Sequence, residues 1–126
     1  MFQSQNKIEG FIALDKPKGP TSNAIIQDLK KRFGLPKIGH AGTLDPMATG
    51  LLLLCVGEAT KFSRFLIEAD KAYVAELVLG ESTDTYDADG QITEKKSIKG
   101  ITNEFAERAL SELRGTILQK PPMFSA

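Results

Sequence analysis

The chain has one cysteine and one histidine among its 126 residues. A lone cysteine cannot close an internal disulfide, which fits a reducing compartment. One Cys and one His also fall short of the four ligands of a usual structural zinc site. A serine-type triad is unattractive, because His40 is the only imidazole and no serine sits in a nucleophile-elbow sequence. Neither common glycine-rich phosphate loop occurs. The most apolar run, Leu51–Val56, is far too short to span a bilayer. Met1–Lys7 lacks the apolar core of a signal peptide. These absences make the cytoplasm the expected location, with no membrane-spanning segment. Net charge is zero, so composition gives no hint of nucleic acid.

What is present suits one domain with a real core: 41% hydrophobic and 25% charged residues. The charge is unevenly spread. Residues 1–39 carry seven Lys/Arg against three Asp/Glu, residues 66–94 one against eight, and residues 95–126 six against three. Two basic flanks could face phosphate, although solvated surfaces are the commoner meaning of such counts.

Gly10–Leu14 reads as a short buried strand, and Asp15–Pro20, with two prolines and a glycine, as a loop. Thr21 or Ser22 can cap a helix whose apolar face is Ile25, Ile26, Leu29 and Phe33, with Gly34 and Pro36 as its stop. Lys30, Lys31 and Arg32 lie in its last turn, where they suit the helix dipole or, equally, RNA phosphate. Leu51–Val56 reads as a strand by length and bounding glycines, although periodicity also allows a buried helical turn. Cys55, inside it, reads as a small buried hydrophobe. Glu58–Leu66 is expected to be helical and Tyr73–Leu79 to be a strand.

Glu81–Gly90 is an acidic loop. A calcium-loop alignment fails, because its twelfth place falls on Lys96, where a bidentate glutamate is required. Asp89–Gly90 is a turn into a short strand, Gln91–Glu94. Thr102 or Asn103 caps a further helix with Phe105, Ala109, Leu110 and Leu113 on one face, ending by Gly115. Thr116–Gln119 is expected to be a last short strand and Lys120–Ala126 a non-helical tail.

The stretch His40–Gly50 organises the rest. It sets one carboxylate, Asp45, between Gly42 and Gly50 and just before Pro46. Proline drives its predecessor out of the helical region, so Asp45 belongs on extended or turn backbone. The two glycines allow sharp chain paths. On pattern alone the commoner meaning is an Asx-type turn before a core strand. The functional meaning is a polar loop held against a buried element, a frequent setting for chemistry. Aspartate needs no base to activate it: it can act as a covalent nucleophile or stabilise a developing cation at a sugar carbon. No second carboxylate stands at a motif position, which disfavours hydrolysis.

Read as one string, Gly39-His-Ala-Gly-Thr-Leu-Asp-Pro-Met-Ala-Thr-Gly-Leu-Leu52 with Gly57-Glu-Ala-Thr-Lys61 resembles the catalytic signature of the TruB family of tRNA pseudouridine synthases. Gly10–Ser22 resembles that family's N-terminal motif, Lys71-Ala-Tyr73 its Lys-x-Tyr motif, Gly80–Gly90 its next block, and Gln119–Ala126 the start of another, with Phe124 where tyrosine is frequent. The resemblance implies an isomerase of the α+β class, with a mixed, mainly antiparallel sheet and flanking helices. The chain would be the N-terminal portion of the catalytic domain (residues 1–126). The C-terminal remainder, which bears an arginine that pairs with the aspartate, and an RNA-binding domain would be absent.

The implied reaction converts uridine-55 in the tRNA T-loop to pseudouridine, without cofactor, metal or obligate protein partner. Asp45 would be catalytic, attacking the base or assisting at the sugar. Tyr73 would stack on the target base and assist proton transfer. His40 would contact the flipped-out nucleotide or fill the space it leaves. Lys16, Lys18 and Lys61 would touch RNA backbone; Asp87 receives no role. Two other readings stand beside this one: an RNA-binding or chaperone module without catalysis, and a guide-RNA-dependent relative.

Overall fold

The computed structural model describes residues 8–119; the expected tail Lys120–Ala126 and the segment Met1–Lys7 lie outside them. The chain divides into two compact units, Met1–Ala72 and Tyr73–Ala126. Helices and antiparallel sheets make it an α+β protein, as expected.

The first unit is built on a three-stranded antiparallel sheet in the order β1-β3-β2, with β1 at Gly10–Lys16, β2 at Ile38–His40 and β3 at Gly50–Val56. The most apolar run is therefore the central strand. β1 and β2 pair its two edges, and Leu52 and Leu54 on one face and Cys55 on the other are buried, which explains why it tolerates so little polarity. β1 pairs with it along its whole length, from Gly10 opposite Val56 to Lys16 opposite Gly50. The strand β1 thus runs two residues past the expected end at Leu14. β2, which the sequence does not announce, is a three-residue edge pairing Ile38 with Val56 and His40 with Leu54.

Alternation along the strands gives the sheet two faces. On one, Ile12, Leu14, Leu52 and Leu54 receive α1, Ser22–Phe33, through Ile26, Ile25 and Leu29. Each fully buried side chain there contributes roughly 1.5–3 kcal/mol. Thr21 caps α1 by accepting the Ala24 N–H at 3.1 Å, and Gly34, at φ 60°, ends it in the left-handed conformation. Leu35 folds back behind that cap, its N–H on the Lys30 carbonyl, and is buried. Phe33, expected on the apolar face, is left exposed by the last turn. On the other face, Cys55 is buried with Ala41 and Ala59, and Leu53 and Leu66 pack on them. The segment expected as one helix is a 3₁₀ turn, Gly57–Phe62, followed by a short α2, Ser63–Ile67. Thr60 and Ser63 hydroxyls bond back to the carbonyls of Gly57 and Thr60, which favours the tighter turn.

In the second unit, β4 (Glu81–Thr83) and β5 (Ile92–Lys95) form an antiparallel hairpin, and α3 spans Asn103–Ser111 with Thr102 as its cap. The hairpin turn is held by Asp87, whose carboxylate accepts from the Thr85 hydroxyl and the Asp89 and Gly90 amides. Two expected strands do not form: Tyr73–Leu79 and Thr116–Gln119 are both irregular. Strand propensity expresses fit to a paired, half-buried surface. Among the described residues nothing pairs with either segment. Phe105, Leu110 and Leu113 of the expected apolar face of α3 are exposed, with Leu113 beyond the helix end.

Candidate functional site

The site grows from the loop between β2 and β3. β2 delivers His40 at its end, and Ala41 continues the ladder by donating to the Leu53 carbonyl at 2.8 Å. The chain then turns at Gly42, at φ 119°, and re-enters the sheet at Gly50, at φ 111°. Both angles are rarely adopted by residues with a Cβ, so both glycines are required by the path. The stem of Lys71 lies beside Gly42, 3.8 Å from where a Cβ would stand, while its ammonium closes the end of α2 on the carbonyls of Leu66, Ile67 and Ala69.

Asp45 sits between these glycines, exposed and outside any helix or strand, as the proline rule anticipates. Its carbonyl accepts the Ala48 N–H at 3.0 Å, closing a tight turn over Pro46 and Met47. The backbone around it is tied to the β1–α1 connection on both sides. Before Asp45, the Ser22 hydroxyl donates to the Leu44 carbonyl and accepts the Leu44 N–H, each at 3.0 Å. The Leu44 side chain packs against the Ile26, Leu52 and Leu54 cluster. After Asp45, the Gly19 N–H donates to the Pro46 carbonyl at 2.7 Å. The Lys16 ammonium reaches the same carbonyl at 3.2 Å, that of Ala48 at 2.7 Å and that of Pro17 at 3.1 Å. A carboxylate at the surface is thus carried on backbone held by hydrogen bonds from Ser22, Gly19 and Lys16.

This geometry corrects the expectation for Lys16. The residue is 0% exposed and its ammonium is enclosed by carbonyl oxygens, so it braces the Asp45 loop and does not face phosphate. Strand alternation turns position 16 inward once β1 extends to it, and the carbonyls of Pro17, Pro46 and Ala48 accept from it there, that of Pro46 shared with the Gly19 N–H. Lys18 is exposed on the connection itself. Lys61 is exposed in the 3₁₀ turn and paired with Glu58, whose hydrogen bond and charge raise its pKa. The His40 ring is half-buried, and its Nδ1 is buried without a hydrogen-bond partner among the described residues. Tyr73 opens the second unit and is 70% exposed. Ser22 was legible only as a possible cap. Its partner, Leu44, lies 22 positions along the chain, beyond the reach of any local pattern.

Among the described residues no group of three or more His, Cys, Asp or Glu side chains is placed to hold a metal ion. None of the described helices is long and apolar enough to cross a membrane. Cys55 is buried, and desolvation raises its thiol pKa, which suits the small-hydrophobe reading.

Known proteins resemble this arrangement over nearly the whole chain. The protein is 51% identical over 119 residues to a "tRNA pseudouridine synthase B" of Stutzerimonas stutzeri and, equally, to one of Haemophilus influenzae. Each match covers 94% of this chain, but the chain spans only 39% and 38% of those relatives. A solved structure, the crystal structure of a Cbf5-Nop10-Gar1 complex, contains a chain matching 95% of this one at 26% identity and a TM-score of 0.62, with 31% of that chain covered. The family model described as "TruB family pseudouridylate synthase (N terminal domain)" matches residues 30–126. With that match over most of its length, the chain belongs to the TruB family of pseudouridylate synthases.

Proposed function

We propose that the protein bearing this chain is a tRNA pseudouridine synthase that isomerises uridine-55 of the T-loop, with Asp45 as its catalytic aspartate. The observation that carries the reading is an exposed carboxylate on a loop whose backbone is clamped before and after it by Ser22, Gly19 and Lys16. Such preorganisation is what positioning a reacting group requires. The reaction breaks the N1–C1′ bond of uridine, turns the base and forms a C5–C1′ bond. The hydrogen on C5 leaves as a proton and N1 gains one, so neither water nor a redox partner enters the balance.

Asp45 acts either on the uracil ring or at C1′. Tyr73 stacks on the base, and its exposure leaves the ring free to do so. His40 meets the flipped-out nucleotide; a buried ring nitrogen without a partner among the described residues is costly unless something arrives to pair with it. Lys18 and Lys61 contact RNA backbone. Extracting the nucleotide costs roughly a few kcal/mol, offset by stacking and phosphate contacts. The chain is the N-terminal portion of the catalytic domain, acting with the remainder of a longer protein on tRNA in the cytoplasm, without cofactor, metal or obligate protein partner.

The test is tritium release from T-arm RNA labelled at C5 of uridine, with the full natural chain and its Asp45→Asn variant. Release that disappears in the variant is expected; equal release from both would refute the assignment of Asp45. A second reading, action under a guide RNA, comes from the family resemblance, and the likeness to a chain of the Cbf5-Nop10-Gar1 complex favours work within a protein complex. Turnover of bare T-arm RNA without any partner separates the two.

A further inference from the structure

We infer that Ser22 is a positioning residue that sets the orientation of the catalytic aspartate through the peptide plane preceding it. The inference rests on the proposed role of Asp45 and adds a residue to it. Ser22 is the first residue of α1 and 3% exposed. A hydroxyl that deeply buried must be satisfied. It does not serve the helix end, because Thr21 already caps α1 through the Ala24 N–H. Its hydrogen bonds instead cross to Leu44, with which it both donates and accepts at 3.0 Å.

One hydroxyl satisfying the N–H and the C=O of a single residue is what a neighbouring strand does for an extended residue. In extended backbone those two groups of one residue point to the same side. The Leu44 C=O belongs to the peptide that joins Leu44 to Asp45. Holding it therefore fixes the plane from which the Asp45 Cα projects. The Leu44 side chain is separately anchored in the core with Ile26, Leu52 and Leu54. Position 44 is thus fixed by backbone and side chain together. Lys16 and Gly19 act only after Asp45, at Pro46 and Ala48. Without Ser22 the turn stays closed on its far side while the near peptide plane is released.

The test has two readouts. The first is amide hydrogen exchange in the full natural chain. In the wild type the Leu44 N–H is protected relative to its free-peptide rate. Ser22→Ala removes about tenfold or more of that protection, as loss of one hydrogen bond of ~1.4 kcal/mol implies. Protection at Ala41 and Leu54 persists. The second is turnover of T-arm RNA by the full natural chain. Ser22→Ala lowers kcat about 10–100-fold, the scale on which a ~1 Å misplacement acts, with KM little changed; Ser22→Thr keeps the hydroxyl and restores most of the turnover.

An unprotected Leu44 amide in the wild type would overturn the inference without reference to any variant, which covers the case of Ser22→Ala failing to fold. So would unchanged protection or unchanged kcat in a folded Ser22→Ala protein. A loss confined to KM would mark Ser22 as part of RNA binding and overturn it too. Absence of turnover in the wild type would instead refute the synthase reading, while the exchange experiment would still report on the contact.

Discussion

Replacing Lys16 by methionine keeps most of the aliphatic stem and removes the ammonium. In the structure that ammonium holds three carbonyls, those of Pro17, Pro46 and Ala48, from a fully buried position. Hydrogen bonds from a charged donor contribute ~1.5–3 kcal/mol each. Three of them give a gross loss of about 4.5–9 kcal/mol. Methionine also removes an ammonium whose burial costs several kcal/mol, which offsets a large part of that loss. The net expectation is a destabilisation of about 2–4 kcal/mol. Urea unfolding followed by a probe in the first unit should show the midpoint falling with the slope unchanged. Exchange should speed most at the Ala48 amide, whose bond to Asp45 closes the turn. A change below about 0.5 kcal/mol, the range of surface substitutions, would refute the bracing argument. It would return Lys16 to the phosphate-facing role that its sequence neighbourhood suggests. RNA affinity supplies the complementary reading: a phosphate contact would alter the salt dependence of binding by about one counterion, whereas a brace would not.

Three further outcomes follow from the same structure. Leu54→Ala, at a fully buried position between α1 and the sheet, should cost about 2–5 kcal/mol by thermal or urea unfolding. Cys55 should resist a thiol reagent in the native protein and react at the rate of unfolding, since burial removes access and raises its pKa. The Asp87 carboxyl is held below its usual range by the Thr85 hydroxyl first and then by the Asp89 and Gly90 amides. A depressed carboxylate stabilises its turn above its unfolded value of 3.8, and that contribution is lost as pH falls through the folded value. A carboxyl NMR titration should therefore place the Asp87 midpoint below 3.8, and a midpoint above it would contradict the turn geometry.

The elements with strong local signals were legible in advance. α1 begins at a threonine cap and ends at a left-handed glycine because both devices act within one turn of the residues they serve. The central strand follows from six consecutive apolar residues closed by glycines, and the non-helical placement of Asp45 from the proline after it. Motif resemblance carried the family assignment because the string around Asp45 is long and ungapped. The strand expected at Tyr73–Leu79 failed for a complementary reason. Its residues favour a paired strand, but propensity does not supply the neighbour.

By itself the sequence determined the residues that start and stop α1, the central position of an apolar strand, the burial of Cys55 and the loop that carries Asp45. Only the tertiary structure decided which groups hold that loop. Ser22 meets Leu44 across 22 positions, and Lys16 meets Pro46 and Ala48 across 30 and 32. Local propensity is written by neighbours a few residues apart, so it marks where chains turn, coil or extend. A hydroxyl or an ammonium finds its acceptors only after the sheet has closed and water has been excluded. The direction of Lys16, inward to carbonyls and not outward to phosphate, was settled by that closure.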